Sequence, residues 1–134
     1  MAKNYFLLKS EPDTYSIDDL KREKKTAWTG VRNYQARNNL LAMQAGDLCL
    51  FYHTGDEKAV VGVAKVVGKP YADKEDPAWT VVDVAYVKTF KNPVTLATIK
   101  ADKHLAGMAL IKAARLSVQP VSQKHFEYLT KIVF

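Results

Sequence analysis

LCLFYHTGDEKAVVGVAKVV, residues 48–67, carries the strongest strand signals in the chain. Apolar side chains occupy both alternating sets of positions in Leu48–His53, which is typical of a strand covered on both faces. Thr54, Gly55 and Asp56 predict a turn, and the valine-rich residues 59–67 predict the returning strand. Gly62 interrupts that run, and a glycine there indicates a β-bulge or a close backbone approach. The stretch therefore predicts an antiparallel hairpin inside a sheet.

Signals on either side of this hairpin predict further strands and several short helices. Strands are predicted at residues 5–8, 80–90 and 114–119. Ser16, with Asp19 three residues later, predicts a helix start with a capping box; that helix should continue through residues 21–25 and end before Trp28. Further helices are predicted from Thr95 to about Lys103 and after Ser122. A helix over residues 34–43 should pack through one apolar face: Tyr34, Leu40, Leu41 and Met43.

These elements do not follow a repeating βαβ pattern. The expected fold class is therefore α+β, with about five to six mostly antiparallel strands in a small bent or open barrel and short helices at its periphery. A length of 134 residues suits one domain, 1–134, with a core of its own.

Composition and charge restrict the function classes. The 20 basic and 14 acidic side chains give a formal charge of +6, which favours a polyanionic partner without proving one. No apolar run approaches the roughly 18 to 20 residues that cross a bilayer, and no signal peptide is visible. One cysteine cannot form an internal disulfide, which indicates a reducing cytoplasm or nucleus, and we expect a cytoplasmic protein. We also expect no membrane partner and favour a monomer.

Catalytic and metal-binding patterns are not visible in the sequence. His53, His104 and His125 share no metal-ligand spacing with Cys49, so we expect no metal. The six glycines are scattered and form no phosphate-binding loop, and we expect no cofactor. Glu11 and Asp13 are a nearby carboxylate pair, but they flank a proline turn. The sequence favours a binding protein over an enzyme.

WTGVRNYQARNN, residues 28–39, concentrates rings, guanidiniums and side-chain amides. Stacking of a base on an aromatic ring contributes about 1–3 kcal/mol per base. Asn and Gln amides match the edge of a base, and Arg can hold phosphate or stack. The stretch suits a flat polar heterocycle, although Trp28 and Tyr34 could equally be core residues on a polar-coated helix.

Four other segments offer side chains of the same kind: Lys9-Ser10-Glu11 after the first strand, Tyr52-His53 at the end of another, Trp79 before the long strand, and residues 115–119. Arg115, Ser117 and Gln119 alternate, so on a strand they should project from one face. Each could instead be a core, rim or solvent-facing residue. Together they predict one mouth of a barrel lined by these segments.

Four stretches together closely resemble the EVE domain family, from about residue 4 to 132: FLLKSEPDTYSIDDL, WTGVRNYQARNNLLAMQAGDLCLFYHTG, VVGVAKVV and RLSVQPVS. The resemblance implies a PUA-like fold related to the YTH domains that read methylated adenine in RNA. It also implies a bacterial-type protein lacking the basic N-terminal extension of eukaryotic members. By similarity, Trp28 is expected to form a wall of an aromatic cage and Trp79 a second wall. Ser10, Glu11 and the Thr29 backbone would contact the base edge.

The resulting prediction is a non-catalytic reader of a modified base, such as modified cytosine, in DNA or RNA. Two alternatives remain open: an enzyme that acts on a modified nucleotide through Glu11 or His53, and a binder of a free nucleoside-like metabolite. Phosphate contacts are expected from Lys9, Arg32, Arg37, Lys21, Lys24 and Lys25. The predicted ligand-binding residues are Lys9, Ser10, Glu11, Pro12, Trp28, Thr29, Val31, Arg32, Asn33, Tyr34, Tyr52, His53, Trp79, Arg115 and Ser117.

Overall fold

The computed structural model describes residues 4–113 and 115–131, whose strands form a mixed sheet. The strands in chain order are β1 (Tyr5–Ser10), β2 (Lys25–Trp28), β3 (Leu48–His53), β4 (Ala59–Val66), β5 (Tyr71–Ala72), β6 (Thr80–Thr95) and β7 (Val118–Val121). Their spatial order is β2-β6-β4-β3-β1-β7, with β5 paired to β6. The predicted α+β class with an open sheet is confirmed. It has seven strands because two short ones, β2 and β5, gave no signal of their own.

Short helices connect and flank these strands. They are α1 (Ile17–Glu23), α2 (Tyr34–Leu41), α3 (Leu96–Ala101), a 3₁₀ helix (Lys103–Leu105), α4 (Ala109–Lys112) and α5 (Gln123–Lys131). Within the described ranges, no helix has the length and apolarity needed to span a bilayer.

The β3–β4 hairpin lies in the middle of the sheet, as predicted, and is covered on both faces. Cys49 and Phe51 belong to one buried apolar cluster, whereas Leu50 and Tyr52 belong to a second. The period-two alternation of a strand sends neighbouring side chains to opposite faces, so a strand buried on both faces must be apolar throughout.

Strand β1 lies beside β3 in parallel register, with Tyr5 opposite Leu48 and Ser10 opposite His53. A parallel pair needs a long crossover, and here residues 11–47 supply it. The crossover contains α1, β2 and α2. Both strands therefore end at the same edge of the sheet, and the crossover begins at that edge.

The predicted continuation of α1 through residues 21–25 is wrong at its end. The helix stops at Glu23, Lys24 adopts a positive φ of 70°, and Lys25 begins β2. Strand β2 pairs antiparallel with β6, which places Trp28 opposite Val82. The pairing partner lies more than fifty residues away, so local helix propensity could not reveal this strand.

The predicted last strand is also displaced. Strand β7 covers Val118–Val121, so Arg115 and Ser117 precede it and cannot share a strand face. Gln119 is fully buried, and its Nε2 donates to the Ala113 and Leu116 carbonyl oxygens at 3.1 and 2.9 Å. Pro120 is tolerated because β7 is an edge strand.

Helix α2 packs through a narrower face than predicted. Tyr34 is 65% exposed and Leu41 54% exposed, so neither belongs to the core. Ala36 and Leu40 are the buried positions of α2, four residues apart, and Met43 is buried just after the helix ends. Tyr34 is consequently left at the surface beside the predicted site.

The capping box at the start of α1 is confirmed. Ser16 Oγ accepts from the Asp19 amide at 3.1 Å, and Asp19 Oδ2 accepts from the Ser16 amide at 2.9 Å. The later helices begin where predicted, and both starts are capped: Thr95 accepts from the Thr98 amide, and Ser122 accepts from the His125 amide.

Replacement of Ser16 by alanine should lower the free energy of unfolding by about 1 kcal/mol, because an amide at the start of α1 loses its acceptor. Chemical denaturation followed by circular dichroism measures the change. Ser16→Thr is the matched control, since threonine keeps the hydroxyl, and it should retain most of the stability. Equal losses in the two variants would argue against the cap as the cause.

Candidate functional site

The ends of β1 and β2 and the segments that follow them line one pocket of about 460 Å³. Eight predicted ligand-binding residues line it together; seven come from the two segments expected to form the site, and Ser117 comes from the segment before β7. They are Lys9, Ser10, Glu11, Trp28, Thr29, Val31, Arg32 and Ser117. We call this cavity the base pocket. The two segments are nearly twenty residues apart in sequence, because α1 lies between β1 and β2 in the chain. The base pocket lies where these two strands end.

The turn after β1 is held by hydrogen bonds on both sides of Ser10. The Ser10 hydroxyl donates to the Tyr15 carbonyl oxygen, and the Tyr15 amide donates to the Glu11 carbonyl oxygen at 2.8 Å. The Thr54 amide donates to the Ser10 carbonyl oxygen at 2.9 Å. With its proton committed, the Ser10 hydroxyl oxygen is left to accept from a ligand.

Glu11 places a carboxylate at the rim of the base pocket. Its Oε2 accepts a long hydrogen bond of 3.3 Å from Thr54 Oγ1. Gly55 makes room for it, since a Cβ at Gly55 would lie 2.8 Å from Oε2. A carboxylate and a hydroxyl oxygen are both acceptors, and they suit a ligand edge that carries N–H groups.

Trp28 is both a core residue and part of the pocket lining. It is 9% exposed and packs edge-to-face with Phe51 at 5.5 Å and with Tyr15 at 6.4 Å between ring centroids. The two readings of Trp28, core or site, are thus compatible: most of the ring is fixed in the core. A ring held this way offers a rigid apolar wall.

The residues after Trp28 form the outer part of the pocket. Gly30 adopts a positive φ of 79°, which glycine reaches without steric cost, and Val31 then turns into the core. The Arg32 guanidinium remains exposed at the mouth; its Nη1 donates to the Val31 carbonyl oxygen at 3.0 Å, and its Nη2 lies 3.5 Å from Asp73 Oδ2. Arg32 therefore has a fixed position and a partly compensated charge.

Trp79 does not line the base pocket, so the expected second wall is not formed by this residue. Its ring stacks on Tyr34 with centroids 5.0 Å apart, and the Arg32 guanidinium lies 5.5 Å from its centroid. Arg37 completes the cluster, 4.9 Å from the Tyr34 ring, and donates to the Ala78 carbonyl oxygen at 3.1 Å. These contacts hold the loop before β6 against α2. The sequence did not predict them, because Arg37 and Ala78 are 41 residues apart.

Asn33 and His53 have structural partners that occupy their side chains. Asn33 Oδ1 accepts from the Ala36 amide at 2.9 Å and caps α2. His53 is 5% exposed, and its Nε2 accepts from the Ile17 amide at 3.0 Å. Because Nε2 is the acceptor, the proton lies on Nδ1, which is 2.8 Å from Glu57 Oε1. The structure thus assigns His53 to the start of α1 and Asn33 to the start of α2.

Pro12 and three of the four lysines expected to contact phosphate lie outside the lining of the base pocket; Lys9 is the exception. Lys21, Lys24 and Lys25 are all exposed. Lys21 lies in α1, Lys24 follows that helix, and Lys25 begins β2, the strand that leads to Trp28. Their predicted phosphate contacts stay predictions.

Tyr52 and Arg115 line a neighbouring cavity of about 530 Å³, which shares Lys9, Glu11 and Ser117 with the base pocket. We call it the second pocket.

Sequence reasoning missed five residues of the base pocket: Thr14, Tyr15, Thr26, Ala27 and Gly30. Tyr15 donates from its hydroxyl to Glu23 Oε1 at 2.7 Å, and burial, followed by this bond, raises its pKa to about 12. Thr26 was hidden by the wrong end of α1. The sequence offered one indication that Thr14 and Tyr15 belong to the pocket, namely their position directly after the predicted turn at residues 9–12.

Burial lowers the pKa of the Lys9 ammonium, which lies 5.8 Å from the Tyr52 ring centroid. Burial also raises the pKa of the Cys49 thiol, which suits a structural residue and disfavours a thiolate nucleophile. Over the described residues, no cluster of three or more His, Cys, Asp or Glu side chains could hold a metal ion.

An open mixed sheet with a polar and aromatic pocket at the ends of β1 and β2 defines a PUA-like ligand-binding domain, which confirms the predicted fold. The chain belongs to the EVE domain family, whose profile matches residues 4–132.

The relatives cover nearly all of this chain. Thymocyte nuclear protein 1 of Mus musculus is 37% identical, over 96% of this chain and 73% of that protein. A hypothetical protein from Leishmania major is 42% identical, with a TM-score of 0.92 over 98% of this chain and 94% of its own. The human THYN1 protein, solved in complex with 5-methylcytosine containing DNA, is 32% identical, with a TM-score of 0.89 over 97% of both chains.

Proposed function

We propose that this chain is a non-catalytic reader that binds a modified cytosine of DNA in the base pocket. The observation that carries the proposal is that the turn after β1 and the segment after β2 line one cavity with a rigid tryptophan wall and oxygen acceptors. The similarity to the human THYN1 protein, solved with 5-methylcytosine containing DNA, supports this ligand.

The chemistry of the lining suits the edge of cytosine. The exocyclic amino group of cytosine is a donor, and carboxylates accept from it. Glu11 and the Ser10 oxygen supply such acceptors at one pocket wall. Trp28 and Val31 supply apolar surface for the ring and its methyl substituent. Entry of the base requires its extrusion from a duplex, which costs a few kcal/mol, or a single-stranded substrate.

We expect DNA affinity to have a large electrostatic component. The formal charge is +6, Arg32 lies at the mouth of the base pocket, and exposed Lys25 begins the strand that leads to Trp28. Cations that neutralise phosphates release bound counterions, so affinity falls as salt rises. The guanidinium of Arg32 would contact the phosphate of the bound nucleotide.

Titration with single-stranded oligonucleotides tests the proposal. An oligonucleotide with one 5-methylcytosine should bind about fourfold more tightly than its cytosine twin, the value expected when one methyl group is buried. Fluorescence anisotropy measures both affinities, and an RNA twin with the same base separates DNA from RNA reading. Equal affinity for methylated and unmethylated strands would exclude the reader.

A matched pair of arginine variants controls for charge. Arg32→Gln should weaken oligonucleotide binding about tenfold, because a charge-assisted hydrogen bond to phosphate is lost. Arg22→Gln removes the same charge from an exposed residue of α1 outside the base pocket and should leave affinity nearly unchanged.

Mass analysis of the recovered oligonucleotide should show an intact base. Conversion of the base would favour the enzyme alternative, for which Glu11 is the remaining candidate, since both ring nitrogens of His53 are engaged.

A further inference from the structure

The second pocket lies directly beside the base pocket, and the two share one wall. Lys9, Glu11 and Ser117 line both cavities. The Lys9 amide donates to the Ser117 carbonyl oxygen at 3.0 Å, so the shared wall is tied to the backbone of β1. A ligand that occupies the base pocket and extends past this wall enters the second pocket.

Positive charge predominates in the second pocket. Lys9, Lys58 and Arg115 oppose one carboxylate, that of Glu11, which gives a formal balance of three minus one, or +2. Glu11 is held against the Thr54–Gly55 turn. In the part of the chain that the structure describes, neither Lys58 nor Arg115 forms an ion pair, although Arg22 and Arg32 each have an acidic partner. Two unpaired cations at one cavity suit an anionic ligand.

A tyrosine hydroxyl at the second pocket suits a polar ligand. The Tyr52 side chain is largely buried and lines this pocket, and among residues 4–113 and 115–131 its hydroxyl forms no hydrogen bond. A phenolic hydroxyl can both donate and accept, so it can bond to a ligand in the cavity. The apolar residues Leu96 and Leu110 also line the cavity, which suits a sugar as well as a phosphate.

The backbone at Lys58, a residue that lines the second pocket, has an uncommon conformation. Lys58 has a positive φ of 46°, a region that non-glycine residues rarely adopt, and its carbonyl oxygen accepts from the Leu96 amide at 2.7 Å. Strain of this kind persists where the surrounding structure enforces it, and it is frequent at ligand sites.

We propose that the second pocket binds the sugar–phosphate of the nucleotide that adjoins the base held in the base pocket. The inference rests on the proposed function, since it takes a base in the first cavity as given. Lys58 and Arg115 contact the phosphodiester oxygens, and the Tyr52 hydroxyl donates to the same unit. The recognition unit is therefore a dinucleotide rather than a single base.

The test compares 5-methyldeoxycytidine with dinucleotides that carry it at the 5′ or the 3′ position. The better dinucleotide should bind the unmodified protein at least about tenfold more tightly than the nucleoside, measured by NMR chemical-shift titration. The double variant Lys58→Gln/Arg115→Gln should lose most of that gain and leave nucleoside affinity unchanged. Its dinucleotide affinity should also depend less on salt, because fewer charges at the pocket attract the phosphodiester.

Two controls make the result specific. Lys124→Gln/Lys131→Gln removes the same charge from α5, outside the lining of both pockets, and should change neither affinity. Tyr52→Phe removes one hydroxyl from the core without changing ring shape and should weaken dinucleotide binding about fivefold, with no effect on the nucleoside. A dinucleotide that binds no more tightly than the nucleoside, or a double variant that weakens both equally, overturns the second pocket. If deoxycytidine binds as tightly as 5-methyldeoxycytidine, the proposed function itself is overturned.

Discussion

Replacement of Trp28 by alanine should lower the free energy of unfolding by about 3–5 kcal/mol. The ring is 9% exposed and packs edge-to-face on Phe51 and Tyr15, so its loss leaves a cavity in the cluster that joins β2 to the sheet. Strand β2 is an edge strand with four residues, and pairing with β6 is all that continues it into the sheet. Urea denaturation monitored by circular dichroism gives the change.

Trp79→Ala is the matched control for this prediction. Trp79 lies outside both buried clusters and stacks on exposed Tyr34, so its removal should cost about 0.5–1.5 kcal/mol. A larger loss from Trp79→Ala than from Trp28→Ala would contradict the placement of the two rings.

The same observation changes how binding at Trp28 is best tested. An alanine variant would reduce both folding and binding, and its weak binding would have two causes. Trp28→Phe keeps an aromatic ring in the cluster and removes the indole surface that borders the base pocket. Comparison of its stability with its methyl preference separates the two roles.

Features set by neighbouring residues were predictable from the sequence. The capping box of Ser16 and Asp19 lies within four residues. The central hairpin is predicted by two continuous apolar runs on either side of one turn. Both depend on interactions whose two partners can be read from one short segment. The site was partly predictable for a related reason, since strand ends are where loops present ligand groups.

Features decided by distant partners were not predictable. Strand β2 forms because β6 offers it an edge, and local charge favoured a longer helix instead. His53 was predicted to bind the ligand from a strand end, but β3 brings it against the first amide of α1. Gln119 looked like one of a row of surface polar groups and instead binds two carbonyl oxygens in the interior. In each case the partner, rather than the residue type, decides the role.

Gly62 shows how a local signal can report a long-range constraint. Its predicted role as a bulge or close-approach site is confirmed, because β4 shifts register against β6 between Val60 and Gly62. On the other side, the register of β3 against β4 shifts between Phe51 and Tyr52, next to the Phe51–Gly62 pair. The irregularity lies where β3 sends Phe51 towards Trp28 and Tyr52 towards the second pocket.

Replacement of Gly62 by alanine should lower the free energy of unfolding by about 3 kcal/mol, at the upper end of overpacking costs. A Cβ there would lie 2.3 Å from the Lys88 carbonyl oxygen and 3.1 Å from Ile17 side-chain carbons, and the first of these atoms belongs to the backbone of a paired strand. Gly68→Ala is the control, since its Cβ would meet no atom within 4 Å, and it should change stability by less than about 0.5 kcal/mol. Chemical denaturation measures both variants. Similar stabilities would mean that β4 and β6 can separate at this point without cost, whereas a large loss confined to Gly62→Ala would show that the backbone contact between these strands fixes the register from which Phe51 and Tyr52 reach the two pockets.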